Sequence, residues 1–354
     1  MSTTVMDATR VEDFGREIAG IYNHAALAIM TSIGHRTGLF DTMSRLSAST
    51  SAEIAAEAGL DERYVREWLG AMAAGGIVDY DAGGATYVLP PEHAAWLTRA
   101  ATPNNAAVTA QWFAVLGGVE DRVVEAFRHG KGVPYAAYHR FHEVMAEESG
   151  QTVVAALKDS ILPLVPGLID RLERGIDVLD VACGAGQAVL RMAELFPESR
   201  FTGLDLSEEA VGLARAGARD RGLSNAHFEA RDVADLGAAG AFDLITAFDA
   251  IHDQARPAEV LRAVAKALRP GGTFLMQDIS GSSHLHEDIA HPFGPLLYTI
   301  SCMHCMSVSL ANGGPGLGAM WGKETALRML QEAGFSSVRV ESLPHDPLNF
   351  FYIA

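Results

Sequence analysis

The chain has 354 residues, 49% of them apolar and 20% charged, which is the composition of a folded globular protein and not of a disordered one. Its formal net charge of −17 repels phosphate backbones and argues against a nucleic-acid partner. Three cysteines, an odd number, argue against a disulfide framework. No apolar run reaches the roughly 20 residues of a membrane span, and the N-terminus lacks the apolar core of a signal peptide. We therefore expect a cytoplasmic protein that does not associate with membranes.

The first hundred residues predict a helical domain that contains a winged helix. Apolar residues recur at spacings of three and four over residues 11–46, which predicts a helix. Residues 50–89 then predict a capped helix, a turn at Gly59, a second helix from Asp61 and two short strands around a Gly-Gly turn. Helix, turn, helix and a two-stranded wing follow one another in the order of a winged helix.

The charges of this region argue against DNA binding. Residues 1–100 contain seven arginines, no lysine and thirteen acidic residues. A helix that reads a DNA groove needs a basic surface, which this composition does not provide. We predict that the domain at residues 1–100 serves dimerisation or forms a wall of the active site.

The remainder of the chain predicts a helical connector followed by an α/β domain. Residues 101–174 have the pattern of amphipathic helices and are predicted to cover an active site. From residue 175 to 354, apolar runs of strand length alternate with helix-length segments, which indicates βαβ units and a parallel sheet. The chain ends in two β runs joined by the turn at residues 344–348, so we expect an antiparallel last strand.

A nucleotide site is predicted at the ends of the first strands of this sheet. In the segment DVACGAG, a strand ends at Asp180 and a loop with Gly184 and Gly186 leads into a helix. Such glycines let a ligand approach the backbone, and a helix N-terminus offers free N–H groups. Asp205 ends the next strand, where a carboxylate can bind a ribose diol, and Asp232 ends the third, where it can accept from an adenine amino group.

Two details separate this loop from the dinucleotide-binding fingerprint. Ala182 and Gln187 occupy the first and last glycine positions of G-x-G-x-x-G. Asp180, at the tip of the first strand, would repel a pyrophosphate but would attract an ammonium group.

These residues resemble the class I S-adenosylmethionine-dependent methyltransferases, whose motif of strand, acid and G-x-G-x-G is present here with Ala182 in place of the first glycine. The resemblance covers residues 175–280. It implies a Rossmann-like fold with a mostly parallel seven-stranded sheet, an antiparallel last strand and an N-terminal winged-helix domain, with S-adenosylmethionine as cofactor and S-adenosylhomocysteine as product. The residues predicted to bind the cofactor are Asp180, Ala182, Gly184, Gly186, Asp205, Leu206, Asp232, Val233, Phe248 and Phe141.

The segment FDAIHDQARP (residues 248–257) supplies a candidate base. The sequence is similar to small-molecule O-methyltransferases, which carry a histidine nine positions after the acid that opens the fourth strand, in an H-D-W segment. Here Asp243 and His252 are nine positions apart, but Gln254 replaces the tryptophan. An imidazole titrates near 6.5 and suits removal of a proton from a hydroxyl. The alternative is that His252 is a turn residue that caps the next helix together with Asp253.

The helix that covers the cofactor in that family is matched by FHEVMAEES, residues 141–149. The same enzymes use their winged helix for dimerisation, so the resemblance implies a homodimer. Residues 284–322, after the fifth strand, are expected to form a helical substrate cover. The residues predicted to line the acceptor pocket there are Tyr298, Cys302, His304, Met306 and Trp321.

Two other interpretations of residues 284–322 carry less weight. A single C-x-x-C without a second pair is weak evidence for a metal site, so we predict none. The glycine-rich segment at residues 313–322 follows no strand, so we interpret it as a flexible hinge and not as a phosphate loop.

The sequence therefore predicts transfer of a methyl group from S-adenosylmethionine to a small, largely apolar acceptor, most simply at oxygen, with His252 as the base. One alternative is a ligand-sensing winged-helix transcriptional regulator. The other is a protein that binds S-adenosylmethionine without transferring methyl groups, or one that methylates nitrogen or carbon without using His252.

Overall fold

The computed structural model describes residues 6–354; the first five residues of the predicted 1–100 domain lie outside the described part. The chain divides into two compact units, one ending at Ala114 and the other spanning Val115–Ala354. No helix among the described residues is both long enough and apolar enough to span a membrane. The boundaries at residues 100 and 174 and the cover at 284–322 stay predictions.

The first unit is helical with one small hairpin. Gly38, at φ +72°, interrupts the helix predicted over 11–46, so that prediction is wrong in one respect: two helices form, because the left-handed residue turns the chain. The elements of this unit are α1 (Ala8–Thr37), α2 (Leu39–Met43), α3 (Ser51–Ala58), α4 (Glu62–Ala74), β1 (Asp79–Asp81), β2 (Thr86–Val88) and α5 (Pro91–Leu97), with a 3₁₀ turn at Arg99–Ala101; α6 (Gln111–Gly117) runs across the boundary.

The winged helix begins and ends where its sequence predicts. Thr50 caps α3 in a reciprocal capping box with Glu53, and Gly59 ends the helix at φ +65°. Asp61 accepts from the first backbone amides of α4. The wing is the antiparallel pair β1–β2. Trp68 of α4 is buried in the core of the unit and donates to the backbone of α1.

The second unit consists of helices around one sheet. Its helices are α7 (Glu120–His129), α8 (Phe141–Ser149), α9 (Leu168–Arg174), α10 (Gln187–Leu195), α11 (Glu208–Asp220), α12 (Pro257–Ala267), α13 (Leu285–Asp288), α14 (Gly294–Ile300), α15 (Met306–Ala311) and α16 (Lys323–Ala333). Three π-helical turns interrupt the regular helices, at Gly150–Val154, Leu157–Ile161 and Ser301–Cys305, with 3₁₀ turns at Tyr135–Ala137 and Leu162–Leu164.

The sheet has seven strands in the order β5-β4-β3-β6-β7-β9-β8. The first five in that order are parallel, and β9 runs antiparallel to both of its neighbours. Their bounds are β3 (Asp177–Val181), β4 (Arg200–Asp205), β5 (Ala226–Ala230), β6 (Phe242–Phe248), β7 (Leu268–Ile279), β8 (Arg339–Leu343) and β9 (Asp346–Ile353). The order reverses between β4 and β6 on either side of β3, which is where open parallel sheets bind their ligands.

The turn predicted at 344–348 is shorter than expected because strand pairing extends into it. Strand β9 begins at Asp346, inside that turn. Both faces of the sheet are covered by apolar side chains, with α10 and α11 on one face and α12 and α16 on the other.

Candidate active site

The loop after β3 is built for close approach of a ligand. Ala182, Gly184 and Gly186 all have left-handed backbones, at φ +54°, +53° and +71°. A Cβ on Gly186 would lie 2.5 Å from the ring of Phe228 and 2.8 Å from Ala214, so only glycine fits there. Ala182, which replaces the first glycine of the motif, has a left-handed backbone that glycine would adopt at a lower cost in free energy.

Asp180 lies buried at the end of β3 and accepts a hydrogen bond from the Thr246 hydroxyl at 2.6 Å. Burial raises the pKa of this carboxyl to about 7; the Thr246 hydroxyl opposes that shift and the charge of Asp205 adds to it. An ammonium group placed against Asp180 would stabilise the charged form. The geometry agrees with the ammonium-binding role predicted for Asp180, which stays a prediction.

Asp205 ties the loop to the end of β4. One carboxylate oxygen accepts from the Gly184 amide at 2.8 Å and the other from the Ser207 amide at 2.8 Å. Each oxygen keeps a further lone pair, so the pair of oxygens can still accept from a diol. The neighbouring Leu206 side chain is 68% exposed and available to cover a ligand.

Asp232 lies exposed after β5, where it accepts from the Ala234 amide and forms an ion pair with Arg256. Partial burial raises the pKa of its carboxyl, but the Ala234 amide and Arg256 outweigh this effect and lower it. Val233 is buried, and Phe248, the last residue of β6, is half-buried. Adenine contacts for these three residues remain predicted.

His252 lies in the turn after β6 and is 3% exposed. Its Nδ1 lies 2.7 Å from Oδ1 of Asp278, at the end of β7. Burial lowers the pKa of His252, but the Asp278 carboxylate and Cys305 outweigh it and hold that pKa well above the usual value. The capping alternative is wrong, because α12 begins after Arg256 without a side-chain cap and Asp253 instead accepts from the Tyr135 hydroxyl.

Asp278 is a candidate functional residue that the motifs did not identify. It is fully buried, and its Oδ1 also accepts from Trp321 Nε1 at 2.9 Å and from the Ile279 amide at 2.9 Å. The available signal was an acid that ends the fifth strand run, in the same pattern as Asp180, Asp205 and Asp232 at the other strand ends.

The predicted pocket residues lie in different surroundings. His304 is buried and stacks on Phe141 with ring centroids 4.3 Å apart, and burial lowers its pKa to about 3, which keeps it neutral. Trp321 is the donor to Asp278. Cys302 and Met306 line an apolar cavity against α7, and the Tyr298 hydroxyl donates to Asp288 at 3.0 Å. Their contacts with an acceptor remain predictions.

The glycine-rich segment interpreted as a hinge packs against the turn that carries His252. The Gly318 amide donates to the His252 carbonyl, and a Cβ on Gly314 would lie 2.6 Å from Ala255. Among the described residues, no group of three or more His, Cys, Asp or Glu has the arrangement of a metal site.

Comparison with known proteins identifies both parts of the chain. Residues 25–99 match the family model of the Rv2258c-like winged HTH domain, and residues 172–334 match that of a methyltransferase domain. A ubiquinone biosynthesis O-methyltransferase of Xanthomonas axonopodis pv. citri is 34% identical over 113 residues, 31% of this chain and 46% of that relative. The chain thus matches less than half the length of this relative.

Two solved structures cover almost the entire chain. A candidate O-methyltransferase from Nostoc punctiforme superimposes with a TM-score of 0.71 at 18% identity, covering 97% of this chain and 98% of its own. Human N-acetylserotonin methyltransferase, solved with S-adenosylmethionine, gives 0.69 at 17% identity, covering 100% and 99%. At this identity they establish the fold. The chain therefore joins a region that matches a winged helix-turn-helix domain to one that matches a methyltransferase domain, and the predicted fold class is confirmed.

Proposed function

We propose that this two-domain chain transfers the methyl group of S-adenosylmethionine to a hydroxyl oxygen of a small, largely apolar acceptor, with His252 as the base. The observation that carries the proposal is the buried pair of His252 and Asp278, joined at 2.7 Å at the acceptor side of the sheet. In the sheet, β6, which precedes His252, is the second strand from β4 and its predicted ribose acid, and β7, which carries Asp278, is the third.

The residues predicted to hold the cofactor fit it. The left-handed loop at 182–186 leaves room for a ligand against the backbone, and a buried carboxyl at Asp180 lacks a cationic partner. Asp180 would bind the ammonium group, Asp205 the ribose hydroxyls and Asp232 the adenine amino group. S-adenosylmethionine supplies a methyl group that its sulfonium already activates, so the protein has to position the acceptor and accept its proton.

Asp278 positions His252 for that task. A neutral imidazole that donates from Nδ1 to the carboxylate has its Nε2 lone pair as the proton acceptor, and the acceptor hydroxyl would take the place beside it of the Cys305 side chain, the other group that acts on this imidazole. Trp321 and the Ile279 amide hold the same carboxylate oxygen in place. The proton taken from the hydroxyl is then held by an imidazolium that Asp278 stabilises.

This pair has a consequence for the pH dependence. Because Asp278 raises the pKa of His252, the base carries its own proton at low pH and cannot accept another. The rate should therefore rise with pH and level off only above the unperturbed histidine pKa of about 6.5.

We also propose that the chain forms a homodimer through its first unit. Helix α1 has 30 residues, of which only Ser32, Gly34 and His35 are buried. Its apolar side chains recur at helical spacing and remain exposed: Val11, Phe14, Ile21, Tyr22, Ile29 and Ile33. A second copy that covers this row would remove it from water. Ile21→Glu should lower the molar mass measured by light scattering to that of one chain, whereas Glu17→Gln should not.

The winged helix is not proposed to bind DNA. On α4, both arginines are already paired, Arg63 with Glu67 and Arg66 with Glu62. The helix therefore offers a phosphate backbone no unneutralised cation.

The proposal is tested by supplying methyl-tritiated S-adenosylmethionine with a panel of phenols and matched anilines. Label should appear on phenol oxygens, and His252→Ala should abolish its transfer without abolishing cofactor binding. Exclusive labelling of nitrogen, or transfer that His252→Ala leaves unchanged, would overturn the assignment of an oxygen acceptor and a histidine base.

A further inference from the structure

Next to His252, three buried polar residues and the half-buried Asp249, whose Oδ1 is buried, form a cluster that the proposed chemistry does not use. It consists of Asp249 after β6, Gln277 in β7, and Asp346 and Asn349 in β9. Gln277 is 0% exposed, Asp346 1% and Asn349 4%. We call these four residues the Asp249 cluster.

Asp346 fixes how the two amides of the cluster point. Its carboxylate accepts from Gln277 Nε2 at 2.7 Å and from Asn349 Nδ2 at 2.9 Å and 3.0 Å. Because the Asp346 carboxylate accepts hydrogen bonds from the NH₂ group of each side-chain amide, the amide oxygens of Gln277 and Asn349 point away from Asp346. Gln277 Oε1 and Asn349 Oδ1 are both buried without a hydrogen-bond partner, as is Asp249 Oδ1. The cluster therefore presents acceptors and lacks donors.

The charges around the cluster are mostly negative. Burial raises the pKa of Asp249 well above its usual value, and the carboxylates of Asp278 and Asp346 raise it further. Glu148 of α8 acts in the same direction, and only His252 opposes it. Burial likewise raises the pKa of Asp346, while the Asn349 and Gln277 side chains and His345 oppose that shift. A cation placed here would relieve repulsion among several acids.

We propose that the Asp249 cluster binds a protonated amine of the acceptor molecule. An ammonium group brings three donors and one positive charge, which match the unpaired acceptors and the excess of negative charge. The inference rests on the proposed function and narrows its substrate class to an apolar molecule with both a hydroxyl and an amine.

The position of the cluster gives the amine an orienting role. Asp249 precedes His252 by three residues, its amide donates to the Gln277 carbonyl at 3.1 Å, and its charge acts on the imidazole. An amine anchored here remains protonated and so is no nucleophile, while the hydroxyl of the same molecule is directed to His252. The reaction is then confined to oxygen.

Calorimetric titration with amines and their neutral analogues tests the proposal. The full chain is saturated with S-adenosylhomocysteine and titrated with three matched pairs: benzylamine and benzyl alcohol, phenethylamine and 2-phenylethanol, tyramine and 4-ethylphenol. Because a hydrogen bond to a charged group contributes more than a neutral one, the amine should bind at least about tenfold tighter in one pair or more.

Asp249→Asn distinguishes amine binding at the Asp249 cluster from a general attraction of cations to this acidic chain. Asparagine has the same size and tolerates the left-handed backbone of Asp249, at φ +50°. The variant should lose most of the amine preference and keep its affinity for the neutral analogue. The exposed Asp220→Asn serves as the matched control and should behave like the unmodified chain.

Absence of an amine preference in all three pairs would overturn the inference, and so would a preference that Asp249→Asn leaves intact. The initial titration with S-adenosylhomocysteine is a separate readout. If it gives no heat, the proposed function itself fails; if it binds and the amines show no preference, only the cluster assignment fails.

Discussion

The two sides of the sheet edge differ in how they are constructed. On the proposed cofactor side, at the ends of β3 and β4, the site consists of a left-handed loop and of two acids that accept hydrogen bonds from neighbouring segments. On the proposed acceptor side, after β6, at the end of β7 and at the start of β9, it consists of buried side chains drawn from distant parts of the chain, such as His252 and Asp278.

The difference follows from what each side must recognise. A cofactor shared by a large family can be bound by one continuous loop, whose geometry is encoded within a few residues. An acceptor particular to one enzyme needs side chains whose polarity and pKa values depend on burial and on partners from other strands. Four variants would test this difference between the two sides, and His252→Ala should have the largest effect.

His252→Ala should break the acceptor side and leave the cofactor side intact. Loss of a general base costs about 10²- to 10⁴-fold in turnover. We expect that loss in kcat, with the affinity for S-adenosylhomocysteine within about twofold of the unmodified chain because the loop at 182–186 is untouched. His227→Ala, an exposed histidine in β5, is the control and should retain activity. Equal loss of turnover and cofactor binding would contradict the separation of the two sides.

Asp278→Asn should weaken the base without removing it. The carboxylate is a main cause of the raised pKa of His252, so its removal should move the acidic limb of the pH–rate profile to lower pH. It should also lower the maximal rate by about tenfold or more, since the imidazole loses the partner that orients it. A limb that stays in place would mean that Asp278 does not set the protonation of His252.

Asp180→Asn probes the cofactor side through pH. In the unmodified chain the carboxyl has a pKa of about 7, and an ammonium partner favours its charged form. Binding of S-adenosylhomocysteine should therefore release a proton near pH 6 and tighten as pH rises through 7. The variant should bind roughly tenfold more weakly at pH 8 and lose both effects. Calorimetry in buffers of different ionisation enthalpy measures the proton; an unchanged release in the variant would exclude Asp180 as its source.

Ala182→Gly should have the smallest effect and should stabilise the protein. Alanine pays about 1 kcal/mol or more for its left-handed backbone, at φ +54°, which glycine avoids. The thermal midpoint should rise by roughly 2 °C for a unit of this size. Ala185→Gly, in the same loop but without a positive φ, should give no such rise. If both variants shift alike, the strain assigned to position 182 is absent.

Much of the cofactor side could be predicted from the sequence, because its features are local. Gly184, Gly186 and Asp205 lie within one βαβ unit, and glycine and helix-start patterns determine their backbone directly. The break between α1 and α2 depends on the left-handed backbone of Gly38, and the early start of β9 depends on its pairing with β7. The periodicity of apolar residues predicts neither feature.

The acceptor side could be predicted only in part. The spacing of Asp243 and His252 made the histidine a candidate base, which stays a prediction. Asp278 lies 26 residues further on and meets His252 only because β6 and β7 are neighbours in the sheet. Trp321 was predicted only to line the acceptor pocket, and its hydrogen bond from the indole N–H to Asp278 could not be predicted. The burial that gives His304 and Asp249 their perturbed pKa values arises from packing between segments far apart in sequence.

Titration of the full chain with S-adenosylhomocysteine by calorimetry tests the central claim most directly, since every proposal for the acceptor side depends on a working cofactor side. We expect one site per chain, micromolar affinity that tightens between pH 6 and pH 8, and release of a proton from Asp180. Absence of binding at micromolar concentrations over this pH range would contradict the proposed function.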